Sequence, residues 1–250
     1  TAADIPGEKN HGLVIQDWPA LAVDKARYIG DPVAIVAADT RDIASAALAL
    51  IEVDYEVLPV VSDPVKAHEP GAPQVMESGN LLKHIKVRRG DIAQGFAEAD
   101  LILEETFHTP TYEHAFLEPE CSIGRIAEDG RYEIIVGSQI PYQDRSQVAR
   151  CLGVPDDQVR IKGALIGGGF GGKEDIAGQV HVALLTRATG RPVKMLYDRH
   201  ESLIFHPKRH ATQITVKIGA KNDGTLTAVE TTLYGDSGAY ASLGEKVMTR

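Results

Sequence analysis

The sequence predicts an α+β fold in two parts: a small α/β unit, then a larger mixed α/β domain. Three observations carry this. Near the start, an apolar run of strand length, an Ala-rich helical stretch and an alternating stretch follow one another. A segment dense in chain breakers comes next. Beyond it strands and helices mix, and the last of them is an antiparallel hairpin rather than another strand–helix unit.

Val33-Ala34-Ile35-Val36-Ala37 has the length and apolarity of a short strand. Asp39 and Thr40 offer N-cap oxygens to a helix predicted over 41–51, with Ile43, Ala47, Leu50 and Ile51 on one face. Residues 52–61 alternate, with Val53, Tyr55 and Val57 on one side, as a half-buried strand does. Pro59 marks an edge or an end of that strand, because proline cannot donate to a ladder. Pro64, Pro70, Gly71, Pro73 and Gly79 then mark a linker. The expected division is therefore 1–62, a linker over 63–90, and a second domain over 91–250.

In the second part Leu101–Thr109 reads as a strand, and so does 131–136 behind an Asp129-Gly130 turn. A helix over 142–152 is ended by Gly153 and Pro155. A strand over 159–166 leads into a glycine run, a helix over 175–189 ended by Gly190, and a strand over 193–197. Strands over 212–218 and 225–233 flank Asn222-Asp223-Gly224, a hairpin signature.

Composition excludes more than it assigns. The chain has 250 residues, 43% apolar and 24% charged, which is ordinary for a globular protein. A net charge of −9 argues against a nucleic-acid partner, which needs a basic face. There is no Lys/Arg block for a membrane surface, no apolar run of the ~20 residues a span needs, and no signal-peptide pattern over 1–9. A cytoplasmic setting is expected. The chain opens on Thr1 and stops at Arg250 without a capping pattern, so a processed product or a piece of a longer protein is expected. Its two cysteines, Cys121 and Cys151, are too few for an iron–sulfur cluster and read as free thiols.

The run Gly167-Gly168-Gly169-Phe170-Gly171-Gly172-Lys173-Glu174 carries the chemistry. Glycines permit positive φ and close backbone approach. Successive N–H groups can then line one concavity, and a following helix adds its own free N–H groups. Gly167-x4-Gly172-Lys173 matches the start of a P-loop, but Glu174 stands where that motif needs Ser or Thr, and its charge would repel phosphate. Gly167-x-Gly169-x-x-Gly172 also fits a dinucleotide (NAD or FAD) fingerprint, although the later antiparallel hairpin is foreign to that fold. A turn that merely packs helix on strand is the bland alternative, and a non-catalytic interaction module is a third reading.

Four blocks in order resemble one family, the molybdenum-cofactor-binding large subunit of the xanthine dehydrogenase and aldehyde oxidase group. Arg27-Tyr28-Ile29-Gly30-Asp31-Pro32-Val33-Ala34 resembles its α/β hammerhead domain. Glu113-His114-Ala115-Phe116-Leu117-Glu118-Pro119 resembles the opening of its molybdopterin-binding domain. Gly137-Ser138-Gln139 with Leu152-Gly153-Val154-Pro155 resembles the next block, and the glycine run with Lys173-Glu174 is the most specific. The likeness extends over nearly all of 20–245.

The resemblance implies a role for each match. Gln139 would reach the oxygen ligands of molybdenum, as a neutral amide donor can. Gly168, Gly169, Phe170 and Gly171 would lie against the pterin and metal. Glu174 would contact substrate, which tilts the expectation from aldehydes toward an N-heterocycle such as a purine; capping of the following helix is its structural alternative. The implied cofactor is molybdenum-molybdopterin, with the cytosine dinucleotide form left open, held without any protein side chain on the metal. The implied reaction is hydroxylation with water as the oxygen source, electrons leaving through Fe–S and FAD partners in an oligomeric assembly. A glutamate base and a second cofactor loop of the family are not found before Arg250, so the isolated chain is expected neither to retain cofactor nor to turn over. Stoichiometric molybdenum in it would overturn that.

Other residues read more plainly. His200, His206 and His210 lack metal-ligand spacing and read as surface or loop histidines. His114 and Glu118 are spaced to share a helical face. Glu113, Glu118 and Glu120 read as a solvated acidic patch, and Lys173 as an anion contact or an ion-pair partner.

Overall fold

The computed structural model describes residues 1–249. In chain order the elements are β1 (Asn10–His11), β2 (Trp18–Pro19), α1 (Arg41–Leu48), α2 (Pro64–Ala67), α3 (Ile92–Ala97), β3 (Leu101–Thr109), β4 (Cys121–Ile126), β5 (Tyr132–Val136), α4 (Pro141–Leu152), β6 (Val159–Gly163), α5 (Gln179–Thr189), β7 (Val193–Leu196), α6 (Arg199–Phe205), β8 (Thr212–Ala220), β9 (Leu226–Gly235) and α7 (Gly244–Met248). Two compact units result. One comprises Thr1–Leu58, Glu113–Lys208 and Ala239–Gly244; the other comprises Pro59–Tyr112, Arg209–Gly238 and the residues from Glu245 on.

The first unit is built on a mixed sheet of order β6-β5-β4-β7. Only β5 and β6 run parallel, in the register Tyr132↔Val159 to Val136↔Gly163. The other two pairings are antiparallel. Helices α4 and α5 bury their apolar positions against it: Val148, Cys151 and Leu152 from α4 and Val180, Val182 and Ala183 from α5 meet Ile134, Val136 and Val159 in one core. Pro141 starts α4, where its missing N–H is not needed, and Gly153 closes it at φ 66°. The thiol of Cys151 lies in this core, and burial pushes its pKa up to about 12.

Residues of the N-terminal segment pack into the same unit. Trp18 stacks on Phe205 and Tyr240 at centroid distances of 5.6 and 5.8 Å, with Tyr28 edge-on at 6.1 Å. His181 of α5 places Nε2 2.6 Å from the Ala20 carbonyl oxygen.

Two strands predicted in this segment do not form. Residues 33–37 and 52–61 find no ladder partner among the described residues. Alternation describes a strand that has a neighbour, and Val53, Tyr55 and Val57 stay exposed. Helix α1 does form, capped as expected by Thr40, whose Oγ1 accepts from Ile43 N at 3.3 Å. It stops at Leu48, and none of its residues is buried, so the face of Ile43 and Ala47 meets no core.

The second unit holds an antiparallel sheet, β3-β8-β9. Facing threonines bond across β3 and β8, Thr106 to Thr215 at 2.9 Å and Thr109 to Thr212 at 2.7 Å. The predicted turn between β8 and β9 forms, with Gly224 N donating to Lys221 O and Lys221 N to Thr225 O, both at 2.9 Å. Among the described residues no helix is long and apolar enough to cross a membrane.

Candidate functional site

The sheet of the first unit determines where the site residues meet. Because β5 and β6 are parallel neighbours, the segments that follow them leave from the same edge: 137–139 after β5 and the glycine run after β6. Because β4 is antiparallel to β5, the segment before β4, with Glu118 and Glu120, lies on that edge as well. Carboxyl ends of adjacent parallel strands are where α/β sheets place ligands.

The glycine run is held from two sides. Gln139 Oε1 accepts from Gly171 N and from Lys173 N, both at 3.2 Å, and Gln139 N donates to Lys173 O at 3.0 Å. A Cβ on Gly169 would lie 2.4 Å from that same Oε1, so only glycine permits the approach. On the other side, Glu118 Oε2 accepts from Gly167 N at 2.6 Å and from Lys173 Nζ at 2.9 Å. Lys173 Nζ also donates to Glu118 O at 3.0 Å and lies 4.5 Å from the centroid of the Phe116 ring. Burial opposes ionisation of Glu118, but Lys173 and the Gly167 N–H outweigh it and hold the carboxyl below the usual carboxylate range.

Gly171 takes φ 90° in the turn, and Phe170, an L residue, is held at φ 53° with its ring largely exposed. Among the described residues the N–H groups of Gly168 and Gly169 have no protein acceptor, the Gln139 Nε2 donor has none, and the half-buried Glu174 carboxylate has neither hydrogen bond nor ion pair. Gly169 is buried against the Gln139 side chain and Gly168 is half-buried against Phe116, and unbonded donors of this kind suit an anionic, oxygen-rich group such as a pterin phosphate or the oxygens around a metal.

Several expectations are corrected. The helix after the loop begins at Gln179 rather than 175, and Gln179 Oε1 itself accepts from Ala177 N and Gly178 N at 2.7 and 2.8 Å. The first residues of that helix, Gln179, Val180 and His181, are buried, so its N-terminus is not open to a ligand, and Glu174, in a short 3₁₀ turn over Gly172–Glu174, does not cap it. This also removes the dinucleotide reading, which needs an open helix N-terminus after the fingerprint. His114 and Glu118 share no helical face, because 113–120 is irregular backbone. The acidic patch is not solvated. Glu120 is 5% exposed, Glu118 pairs with Lys173, and Glu113 pairs with Lys208.

His206 is 3% exposed rather than a surface histidine. Its Nε2 and Nδ1 each lie 2.9 Å from a carbonyl oxygen, of Gly172 and Pro207, and its ring meets Phe116 edge-on. Burial drives its pKa down to about 4 against the pull of Glu113. It therefore braces the end of the glycine run. With Glu113 and His114 it gathers three ligand-type atoms within 4.8 Å. The Lys208 ammonium occupies Glu113, and the neutral His206 ring can donate through one nitrogen only, to the carbonyl of Gly172 or of Pro207, so this is a hydrogen-bonded brace and not an assembled coordination set. Sequence spacing missed Glu118, Lys173 and His206 as a group because β4 was missed. The Asp129-Gly130 turn was the available signal, since a hairpin turn implies a strand on both sides.

This arrangement belongs to a known class. Residues 74–250 match the molybdopterin cofactor-binding domain, and residues 1–59 match the aldehyde oxidase and xanthine dehydrogenase a/b hammerhead domain. The chain belongs to the xanthine dehydrogenase and aldehyde oxidase family and carries its molybdopterin cofactor-binding domain.

Among particular relatives, it is 41% identical over 248 residues to a probable xanthine dehydrogenase subunit of Bacillus subtilis (strain 168), covering 99% of this chain and 33% of that protein. It is 40% identical over 248 residues to the nicotinate dehydrogenase large molybdopterin subunit of Eubacterium barkeri, covering 98% of this chain and 58% of that one. The solved aldehyde oxidoreductase of Desulfovibrio gigas superposes with a TM-score of 0.86 at 28% identity, over 93% of this chain and 27% of that one. The chain thus spans between a third and three-fifths of the length of these curated relatives.

Proposed function

We propose that this chain forms one wall of the molybdopterin site of a molybdenum hydroxylase acting on an N-heterocycle, with aldehydes the second substrate class. One observation carries the reading. The carbonyl end of Gln139 is fixed by two loop N–H groups, which leaves its NH₂ end as an uncommitted neutral donor beside the open N–H groups of Gly168 and Gly169. The residues suited to hold the cofactor are Gln139, Gly168, Gly169, Phe170 and Gly171. When bound, the group supplies a two-electron acceptor and a metal that makes water a nucleophile near neutral pH.

The chain's own residues bind and orient. Gln139 donates to an oxygen without displacing it. The glycine backbone shapes the wall, and Phe170 covers its outer side and limits water. Glu174 offers a free carboxylate to a ring N–H of substrate, or to charge that builds on the ring in the transition state. The relatives named for xanthine and nicotinate, and a neighbouring structure named for quinoline oxidation at 26% identity, favour an N-heterocycle. The reading includes Fe–S and FAD partners, a cytoplasmic setting, a division at 1–62, 63–90 and 91–250, and no cofactor retention by these residues alone.

Glu174→Gln in the full-length protein tests the substrate class. Turnover of a purine or pyridine substrate should fall about a hundredfold to a thousandfold, the range set by one lost electrostatic contact in a transition state, with molybdenum content unchanged. Unchanged turnover on heterocycles, or activity confined to aldehydes, would refute it.

A further inference from the structure

Lys173 and Glu118 are not explained by cofactor contact. Lys173 is 5% exposed and directs its ammonium inward, onto Glu118. Its two acceptors are both on that residue, and the same Glu118 oxygen that takes the ammonium also takes the Gly167 N–H. One carboxylate oxygen therefore joins the first residue of the glycine run to the residue that follows it. The run between them has Phe170 as its only side chain, so it has little of its own to hold a shape.

The join continues inward. Lys173 N is one of the two donors on Gln139 Oε1, and Lys173 O accepts from Gln139 N. Moving Lys173 moves two of the three contacts that hold Gln139, the third being Gly171 N on Oε1. Phe116 touches the same assembly twice, its ring 4.5 Å from the Lys173 ammonium and its Cβ 3.0 Å from where a Cβ on Gly168 would stand.

We infer that the Glu118–Lys173 ion pair is a positioning pair. It closes the glycine run into a ring and through the Lys173 backbone sets the orientation of the Gln139 carboxamide. Neither residue touches the reacting atoms. The inference rests on the proposed molybdopterin reading for what Gln139 faces, and not for the ring itself.

The test compares Lys173→Met, Glu118→Gln and the double variant Lys173→Met/Glu118→Gln in the full-length protein, with and without its cofactor. Lys173→Met leaves Glu118, which is part-exposed and can be hydrated. Glu118→Gln keeps oxygen acceptors but removes the counter-charge of a buried ammonium, and should lower thermal stability most. The double variant removes both charges and should recover that stability. Three readouts follow: hydrogen exchange at 167–173 without cofactor, the Mo(V) electron paramagnetic resonance spectrum, and kcat against KM.

All three variants should show exchange at 167–173 faster by about tenfold or more, consistent with local opening of a loop that has lost its anchor. The double variant, though stable, should keep an altered Mo(V) spectrum and a kcat lowered at least tenfold, with KM within about threefold. A double variant with native exchange, native spectrum and native kcat would overturn the inference. Wild-type protein that binds no molybdenum while the variants still loosen 167–173 would refute the molybdopterin reading and leave the ring standing.

Discussion

Gly169→Ala should empty the site. A Cβ there would stand 2.4 Å from Gln139 Oε1, well inside any real contact, and that oxygen is fixed by two hydrogen bonds. Either the amide turns away or the loop backs off. Both break the geometry offered to the cofactor. Overpacking of this kind costs ~1–3 kcal/mol, and in binding that is about fivefold to 150-fold. Molybdenum per full-length chain, measured by mass spectrometry, should drop accordingly, and activity per chain with it. Gly163→Ala is the control, because nothing lies within 4 Å of a Cβ at that position at the end of β6. Full molybdenum and near-native turnover in Gly169→Ala would show that Gln139 is not part of the wall.

The second large effect concerns Asp144, which is fully buried in α4 below the turn that carries Gln139. Burial raises its pKa to about 6, while hydrogen bonds from Ser138 and Gln179 pull it down and the charge of Asp175 adds to the rise. One of its oxygens, Oδ1, has no partner. A carboxyl whose folded pKa is raised is bound to its proton more tightly in the native state than in the unfolded one. Its ionisation therefore removes stability as pH climbs from about 4, near its usual value of 3.8, through about 6.

Asp144→Asn lacks this titration and can keep the links to Ser138 and Gln179. At pH 7.5 it should be more stable than wild type by up to ~3 kcal/mol, the free energy that corresponds to a displacement of about two pH units. The advantage should shrink to near zero by pH 4. Denaturant unfolding across that range checks it, and a difference that stays constant with pH would show that ionisation is not its cause. An oxygen kept at this expense beside the Gln139 turn and the start of α5 fits a residue retained for geometry.

What could be seen in the sequence was local. The glycine run, Gln139 ahead of a helix, the Gly153 and Gly190 helix ends and the Asn222-Asp223-Gly224 turn each depend on a few adjacent residues. What could not be seen depends on pairing across the chain. The partner of Lys173 is 55 residues away, and the carbonyl that receives the His206 ring is 34 away. Neither spacing has a signature. Burial of Glu120 follows from the place of β4 in the middle of its sheet, so missing Cys121–Ile126 made an enclosed carboxylate look like surface. Residues 52–61 failed in the opposite sense, because their alternation is real and the neighbour it anticipates is not among the described residues.

The shared edge of the first sheet has one more consequence. The parallel register of β5 on β6 sets how far 137–139 extends alongside 167–173, and a slip of one residue would shift Gln139 by a strand step of ~3.3 Å and turn alternate side chains to the wrong face. Gln139 Oε1 would then miss both loop donors at once. A chain misregistered at this one pairing would keep its apolar content and lose the cradle, so the register of two short parallel strands sets the shape of the loop that follows them.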